Sequence, residues 1–254
     1  MELYDSIGHG YATRRMPDSR IAAPIISALG ASESVVNVGA GAGSYEPRDR
    51  RVVAVEPSMV MIRQRPSEVA PAVSASATAL PFRDASFDAS LAILTLHHWP
   101  DYARGIAELR RVARRTVVIL TFDLTVGGFW LMDYFPEILE VDRRTMPPLS
   151  EVERHLGDAR VIDVPIPFDC IDGLLGAFWR RPQAYLDADV RSAMSSFQRI
   201  ENTEAGVARL RADLDSGAWQ RRYGEVLDRS ELDLGYRLVV GQERTPLRGN
   251  GGTR

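Results

Sequence analysis

Two adjacent histidines, His97 and His98, follow the longest apolar run in the first half of this chain, Phe87 to Leu96. An imidazole changes charge near neutral pH, so either residue could take the proton of a hydroxyl acceptor. A histidine at a strand end can equally cap the following helix, and the residues leave both roles open. Upstream, the apolar run Val35–Val38 ends in the loop Gly39-Ala40-Gly41-Ala42-Gly43. The next apolar run, Val52–Val55, ends in Glu56. That order presents bare backbone and one carboxylate to a nucleoside ligand. Glu56 can accept hydrogen bonds from both hydroxyls of a ribose. Cys170 is the single cysteine, which excludes an intrachain disulfide and a cysteine zinc cluster. No motif surrounds it, so it reads as an inert thiol, and no metal is expected.

The segment behind the glycine loop narrows the choice of nucleoside. Ser44 to Arg51 are only eight residues, with Pro47 among them. A dinucleotide fold needs a full helix here, because its terminal amides and dipole hold the pyrophosphate. Eight residues broken by proline allow about two turns at most. Ser44 also stands where the dinucleotide pattern has its third glycine. S-adenosylmethionine has no phosphate and carries a positive sulfonium, so it needs backbone room and a ribose-binding acid but no helix dipole. It is the expected cofactor, with S-adenosylhomocysteine as product. An NAD(P)-dependent oxidoreductase and a non-catalytic binding module are the rival readings.

The elements that must position these residues follow from periodicity. Ile21–Leu29 has helical spacing and stops at Gly30. Val35–Val38, Val52–Val55, Phe87–Leu96 and Thr116–Phe122 read as buried strands, with a weaker one near Ala72–Ser76. Met59–Arg65 and the amphipathic Tyr102–Arg114 read as helices between them. Strands alternating with helices give a doubly wound parallel α/β sheet. Beyond Asp123 the rhythm changes to a cap. Leu149–Leu156 reads as helix, a strand is expected near 159–166, and 168–230 reads as helical. We expect a core with an N-terminal lid over 1–125, an insertion and cap over 126–231, a final strand over 232–242 and a disordered tail over 243–254. Phe129, Trp130, Tyr134 and Phe135 follow the fifth strand at the ligand-binding edge, and Trp179 falls in the cap. Together they suit a flat or apolar small molecule as acceptor.

Composition agrees with a soluble enzyme. The chain has 254 residues, 45% hydrophobic and 26% charged, with net charge −3. The negative balance argues against nucleic acid as partner, and an RNA substrate is disfavoured. No apolar run is long enough for a membrane span, and no apolar segment marks a signal peptide. A cytoplasmic monomer or homodimer acting on a small molecule is expected.

Four blocks together carry a family resemblance. They are Val36–Gly43, then Ala54-Val55-Glu56-Pro57-Ser58-Met59, then Ala79–Asp88, then Leu96-His97-His98-Trp99-Pro100-Asp101. In this order the chain resembles class I SAM-dependent methyltransferases, most of all the small-molecule group that includes the ubiquinone and menaquinone methyltransferases. The resemblance covers roughly residues 1–125. It implies a Rossmann-like, doubly wound, mostly parallel seven-stranded sheet with a helical insertion, and transfer of a methyl group to an oxygen or carbon acceptor. It would place Gly39, Ala40, Gly41 and Gly43 beside the methionine part, Glu56 at the ribose, and Pro57 and Met61 on one adenine face. Ser76 and Ala77 would meet the adenine amine, Leu94 and Thr95 would lie beneath the sulfonium, and Tyr11 would close over the cofactor. Two positions depart from the family. Asn37 replaces the usual Asp and brings a hydrogen bond without a charge. Ser76 stands where an acid is common and binds an amine more weakly.

Overall fold

The computed structural model describes residues 16–126 and 129–242; Tyr11 and the expected tail 243–254 lie outside the described residues. In chain order the elements are α1 (Ser19–Leu29), β1 (Ser34–Val38), β2 (Arg51–Val55), α2 (Met59–Arg63), β3 (Ala72–Val73), β4 (Phe87–Ile93), α3 (Tyr102–Val112) and β5 (Ala113–Phe122). Then come α4 (Leu131–Tyr134), α5 (Glu137–Thr145), α6 (Leu149–Leu156), β6 (Ala159–Asp163), β7 (Ile166–Pro167), α7 (Ala188–Ser192), α8 (Thr203–Asp215), α9 (Ala218–Tyr223), β8 (Glu231–Leu232) and β9 (Tyr236–Gln242). Seven strands form one sheet in the order β3-β2-β1-β4-β5-β9-β6. β1 to β5 run parallel, and β9 lies antiparallel between β5 and β6. The doubly wound, mostly parallel α/β sheet is therefore present.

Alternation along the strands builds two cores, one on each face of the sheet. Val35, Val118, Leu120, Leu238 and Val240 face α1, whose buried Ile21, Ile25 and Leu29 share one stripe. Val36, Val117, Ile119 and Val239 face the opposite way, against Ile106, Leu109 and Val112 of α3 and Val152 and Leu156 of α6. α1 and α3 each start at an aspartate: Asp18 accepts from the Arg20 amide and Asp101 from the Arg104 amide, which satisfies exposed helix-end donors. A third core lies in the cap, where Trp130, Tyr134, Phe135, Tyr185, Phe197 and Trp219 pack together.

Four expectations need correction. β4 stops at Ile93 rather than Leu96, because Leu94 takes a left-handed conformation (φ 49°) and Leu96–His98 form a 3₁₀ turn. The third strand is only Ala72–Val73. The final stretch is two strands: Glu231–Leu232 pairs with β7 in a small second sheet, and Gly235 (φ 89°) turns the chain before β9. Its carbonyl receives the Asp123 amide, and a side chain at 235 would strike the Asp123 carbonyl at 2.6 Å. Residues 168–181 form turns rather than helix; helical structure in the cap resumes at Pro182.

Candidate active site

The strand order reverses between β1 and β4: β2 and β3 lie on one side, β5 on the other. Loops leaving the carboxyl ends of β1 and β4 therefore diverge and leave a crevice. A cavity of about 120 Å³ occupies it. Eleven of the expected cofactor residues line it: Asn37, Gly39, Ala40, Gly41, Glu56, Pro57, Met61, Ser76, Ala77, Leu94 and Thr95. His98 joins them. Gly43 does not; its φ of +98° and the Val69 side chain, 2.9 Å from where a Cβ would stand, account for glycine there. Ala42, Ser44, Ser58, Ile93, Trp99 and Pro100 line the cavity without having been singled out from the sequence. Ser58 was legible as the cap of α2, whose Met61 amide donates to its Oγ. Ser76 spends its hydroxyl on Thr78, at 2.9 Å.

The loop amides turn inward. Gly39 and Ala40 donate to the Val55 carbonyl, Gly43 donates to Ala40, and Gly41 donates to Oε2 of Glu56 at 2.9 Å. Those four N–H groups are consumed within the protein, so the loop is not an anion cradle of the pyrophosphate kind. Oε1 of Glu56 accepts from the Ser58 amide at 2.9 Å. Glu56 thus ties the glycine loop to the start of α2 while its carboxylate borders the cavity. Among the described lining residues none is Lys or Arg, and Glu56 is the one carboxylate. Beneath the loop lies a buried ion pair, Glu46 with Arg65 at 2.7 Å. Arg65 also donates to the carbonyls of Gly41 and Ala70, and Asn37 Nδ2 donates to Glu46 at 3.0 Å. The amide oxygen of Asn37 is buried at the cavity wall with no hydrogen-bond partner among the described residues.

A second cavity, of about 70 Å³, adjoins the first at Leu94, which lines both. His98 borders the first and His97 the second, with ring centroids 3.8 Å apart. Arg199 Nη2 lies 2.7 Å from His98 Nδ1. A guanidinium can only donate, so Nδ1 accepts and the imidazole proton resides on Nε2. Burial, then the neighbouring His97 and Arg199, press the His98 pKa well below the usual histidine range. His98 is therefore neutral with its Nδ1 lone pair engaged, a poor base; it borders the first cavity, and of the pair only His97 borders the second. Asp142, 5% exposed, also lines the second cavity and accepts from Ser196 Oγ at 3.2 Å. Burial raises its carboxyl above the ordinary range, against the Ser196 hydroxyl and the Arg199 charge, which lower it.

Residues 36–121 match the family model described as a methyltransferase domain. A proposed methyltransferase from an antibiotic biosynthesis pathway of Anabaena variabilis is 36% identical in sequence. The match covers 90% of this chain and 98% of that one, with a TM-score of 0.84. The chain belongs to the class I SAM-dependent methyltransferases. A SAM-dependent methyltransferase of Thermotoga maritima, suggested to act on histamine, shares the fold at 14% identity. Its TM-score is 0.58 over 95% of this chain and 98% of that one. A tRNA (carboxymethyluridine(34)-5-O)-methyltransferase of Xenopus tropicalis, alkbh8, is 31% identical over 119 residues, 44% of this chain; the match spans 18% of that relative's length.

The family's cofactor is S-adenosylmethionine, and the residues of this methyltransferase fit it. The crevice offers a carboxylate, an unpartnered amide oxygen at Asn37 and no described cationic side chain, which suits a cationic nucleoside and opposes a pyrophosphate. The expected acceptor aromatics lie mostly in the interior of the cap. Trp130, Tyr134, Phe135 and Trp179 are 5%, 3%, 1% and 0% exposed and line none of the described cavities. Their polar ends are bonded inward: Trp130 Nε1 to the Trp179 carbonyl, Trp179 Nε1 to the Ile166 carbonyl, Tyr134 hydroxyl to Asp213. Large aromatic surface is worth most when buried, and edge-to-face packing of Trp130 on Tyr134, Tyr185 and Trp219 makes them the cap's core. Phe129 alone borders a cavity, a closed one of about 10 Å³ beside the second. Cys170 is fully buried, and burial pushes its thiol up to about 12.

Proposed function

We propose that this methyltransferase moves a methyl group from S-adenosylmethionine in the first cavity to a small molecule held in the second, on an oxygen or carbon atom. The carrying observation is the junction at Leu94 and the His97–His98 pair, where a phosphate-averse nucleoside crevice meets a second cavity with both apolar and polar side chains in its wall. When bound, the cofactor supplies an electrophilic methyl group; the acceptor's electron pair forms the new bond and the old C–S pair stays on sulfur. The protein's part is placement, which can supply much of a bimolecular barrier. Glu56 holds the ribose hydroxyls, Asn37 Oδ1 accepts from the cofactor's ammonium, and Pro57 and Met61 cover one face of adenine. The adenine amine is met by Ser76 and Ala77, which both line the first cavity. Leu94 and Thr95 form the floor beneath the sulfonium.

The test is calorimetry with S-adenosylhomocysteine and with NADH. Micromolar binding of the first and none of the second is expected. Glu56→Ala should weaken the first by about 1.5–3 kcal/mol, the worth of a hydrogen bond to a charged group. Unchanged affinity in Glu56→Ala removes the ribose assignment, and tight NADH binding removes the reading altogether. A labelled methyl group offered with metabolite extract and, separately, with bulk tRNA should enter the extract. Uptake into tRNA instead would favour the activity of the frog relative.

A further inference from the structure

Asp142 is the one acid on the buried face of α5, a turn after Ile138. Replacing a buried charge by an apolar side chain is often neutral or stabilising. Its surroundings leave it under-bonded. A carboxylate offers about four acceptor sites. One oxygen receives the Ser196 hydroxyl, and the other receives no donor from the described residues. Much of the remaining wall is Phe122, Met146, Leu174 and Met194. Asp142 lines the second cavity, where a ligand's donor can reach the oxygen that Ser196 leaves over, and a hydrogen bond to a charged group is among the stronger ones.

We propose that the second cavity takes a neutral, mainly apolar acceptor molecule bearing a hydroxyl group, whose O–H donates to the free oxygen of Asp142. The inference rests on the proposed placement of the acceptor in that cavity. A neutral hydroxyl rather than an ammonium follows from Arg199. Its guanidinium acts on Asp142 electrostatically while held by His98 Nδ1 and Thr145 Oγ1, at 2.7 and 3.2 Å. The carboxylate's charge is thereby already countered, and a second cation would meet repulsion. The two further hydroxyl side chains on the wall, Ser195 and Tyr236, and the His97 ring leave room for more than one polar substituent.

Phenol, toluene and benzylammonium test this as probes of nearly one shape. Each is titrated into the full chain, free and saturated with S-adenosylhomocysteine, with the methionine methyl groups followed by NMR. Met146 and Met194 line the second cavity, and Met61 lines the first, so the shifted signals report where a probe sits. In a purely apolar cavity toluene is the better ligand, because phenol must shed its water. Here phenol should bind at least about tenfold tighter than toluene, the low end for a hydrogen bond to a charged group. In Asp142→Leu the order should reverse. The wild-type comparison stands even if that variant does not fold. Equal binding, preference for toluene, tighter binding of benzylammonium, or no binding in the second cavity at millimolar concentration would each overturn the proposal. Failure of S-adenosylhomocysteine to bind would instead strike the cofactor reading, because the free protein still reports the probe preference.

Discussion

Adding one methyl group at Gly39 probes how the glycine loop meets the end of β4. Gly39 has φ +69°, and an ideal Cβ there would lie 2.0 Å from Thr95 Oγ1 and 2.8 Å from both Cβ and Cγ2 of Thr95. Gly39→Ala therefore incurs two separable costs. The left-handed conformation costs an L-residue about 1–2 kcal/mol. Rotating Thr95 can move Oγ1 and Cγ2 but leaves its Cβ in place, so the backbone must give, and overpacking of this kind costs about 1–3 kcal/mol. The total is about 2–5 kcal/mol of folding stability. Gly217→Ala isolates the first cost: φ is +71° and ψ 9° there, and the new Cβ would meet only the flexible Arg221 guanidinium at 3.3 Å, so only about 1–2 kcal/mol should be lost. Thr95→Gly isolates the second, because in the double variant every clashing atom is gone. Urea unfolding of the four chains of this cycle should show a favourable coupling of about 1–3 kcal/mol between positions 39 and 95. Simple additivity, or a Gly39→Ala chain no less stable than Gly217→Ala, would refute the claim that glycine is required by contact with Thr95.

Two further substitutions address buried charge. Arg65→Met leaves the Glu46 carboxylate buried with only the Asn37 and Ala70 donors; a loss of about 3–5 kcal/mol in urea unfolding is expected. A loss below about 1 kcal/mol would show that the pair is as weak as a surface salt bridge. Asp18 is held down to about 2 from 3.8, first by the Arg20 side chain. Its folded-state pKa is depressed, so its contribution, on the order of 2 kcal/mol, is complete above pH 3.8 and disappears as pH falls toward 2. Asp18→Asn should lower stability at pH 7 and converge with the parent near pH 2; a difference independent of pH would count against the ion pair.

Much of the cofactor half was legible because its signals are local. A glycine loop after one strand and an acid at the end of the next depend on short chain segments, and eleven of the expected residues do meet at one cavity. The short crossover with Pro47 pointed away from a dinucleotide, and the inward-turned amides of Gly39, Ala40, Gly41 and Gly43 give the physical reason. The acceptor side was not legible, because burial there is decided by distant packing. Trp130 and Trp179 are 49 positions apart and bond to one another, which no local pattern records. Asp142 was visible only as an acid on the buried stripe of α5, a misfit that in hindsight is the signal. Leu94 shows a similar limit: an unbroken apolar run gave no warning of a positive φ. Backbone strain at the junction of two cavities is the kind of local exception that function imposes.

The place of β9 also sets a timetable for synthesis. Residues 236–242 fill the gap between β5 and β6, pairing Thr116 through Phe122 on one side and Ala159 through Asp163 on the other. A ribosome finishes β5 long before it reaches Tyr236, and at typical elongation speeds the wait is on the order of ten seconds. Throughout that interval the nascent chain carries its glycine loop and four strands parallel to β5, yet presents β5 as a bare apolar edge. Such an edge is a template for pairing with another chain. Release of a chain stopped before Tyr236 would leave that edge without its β9 partner.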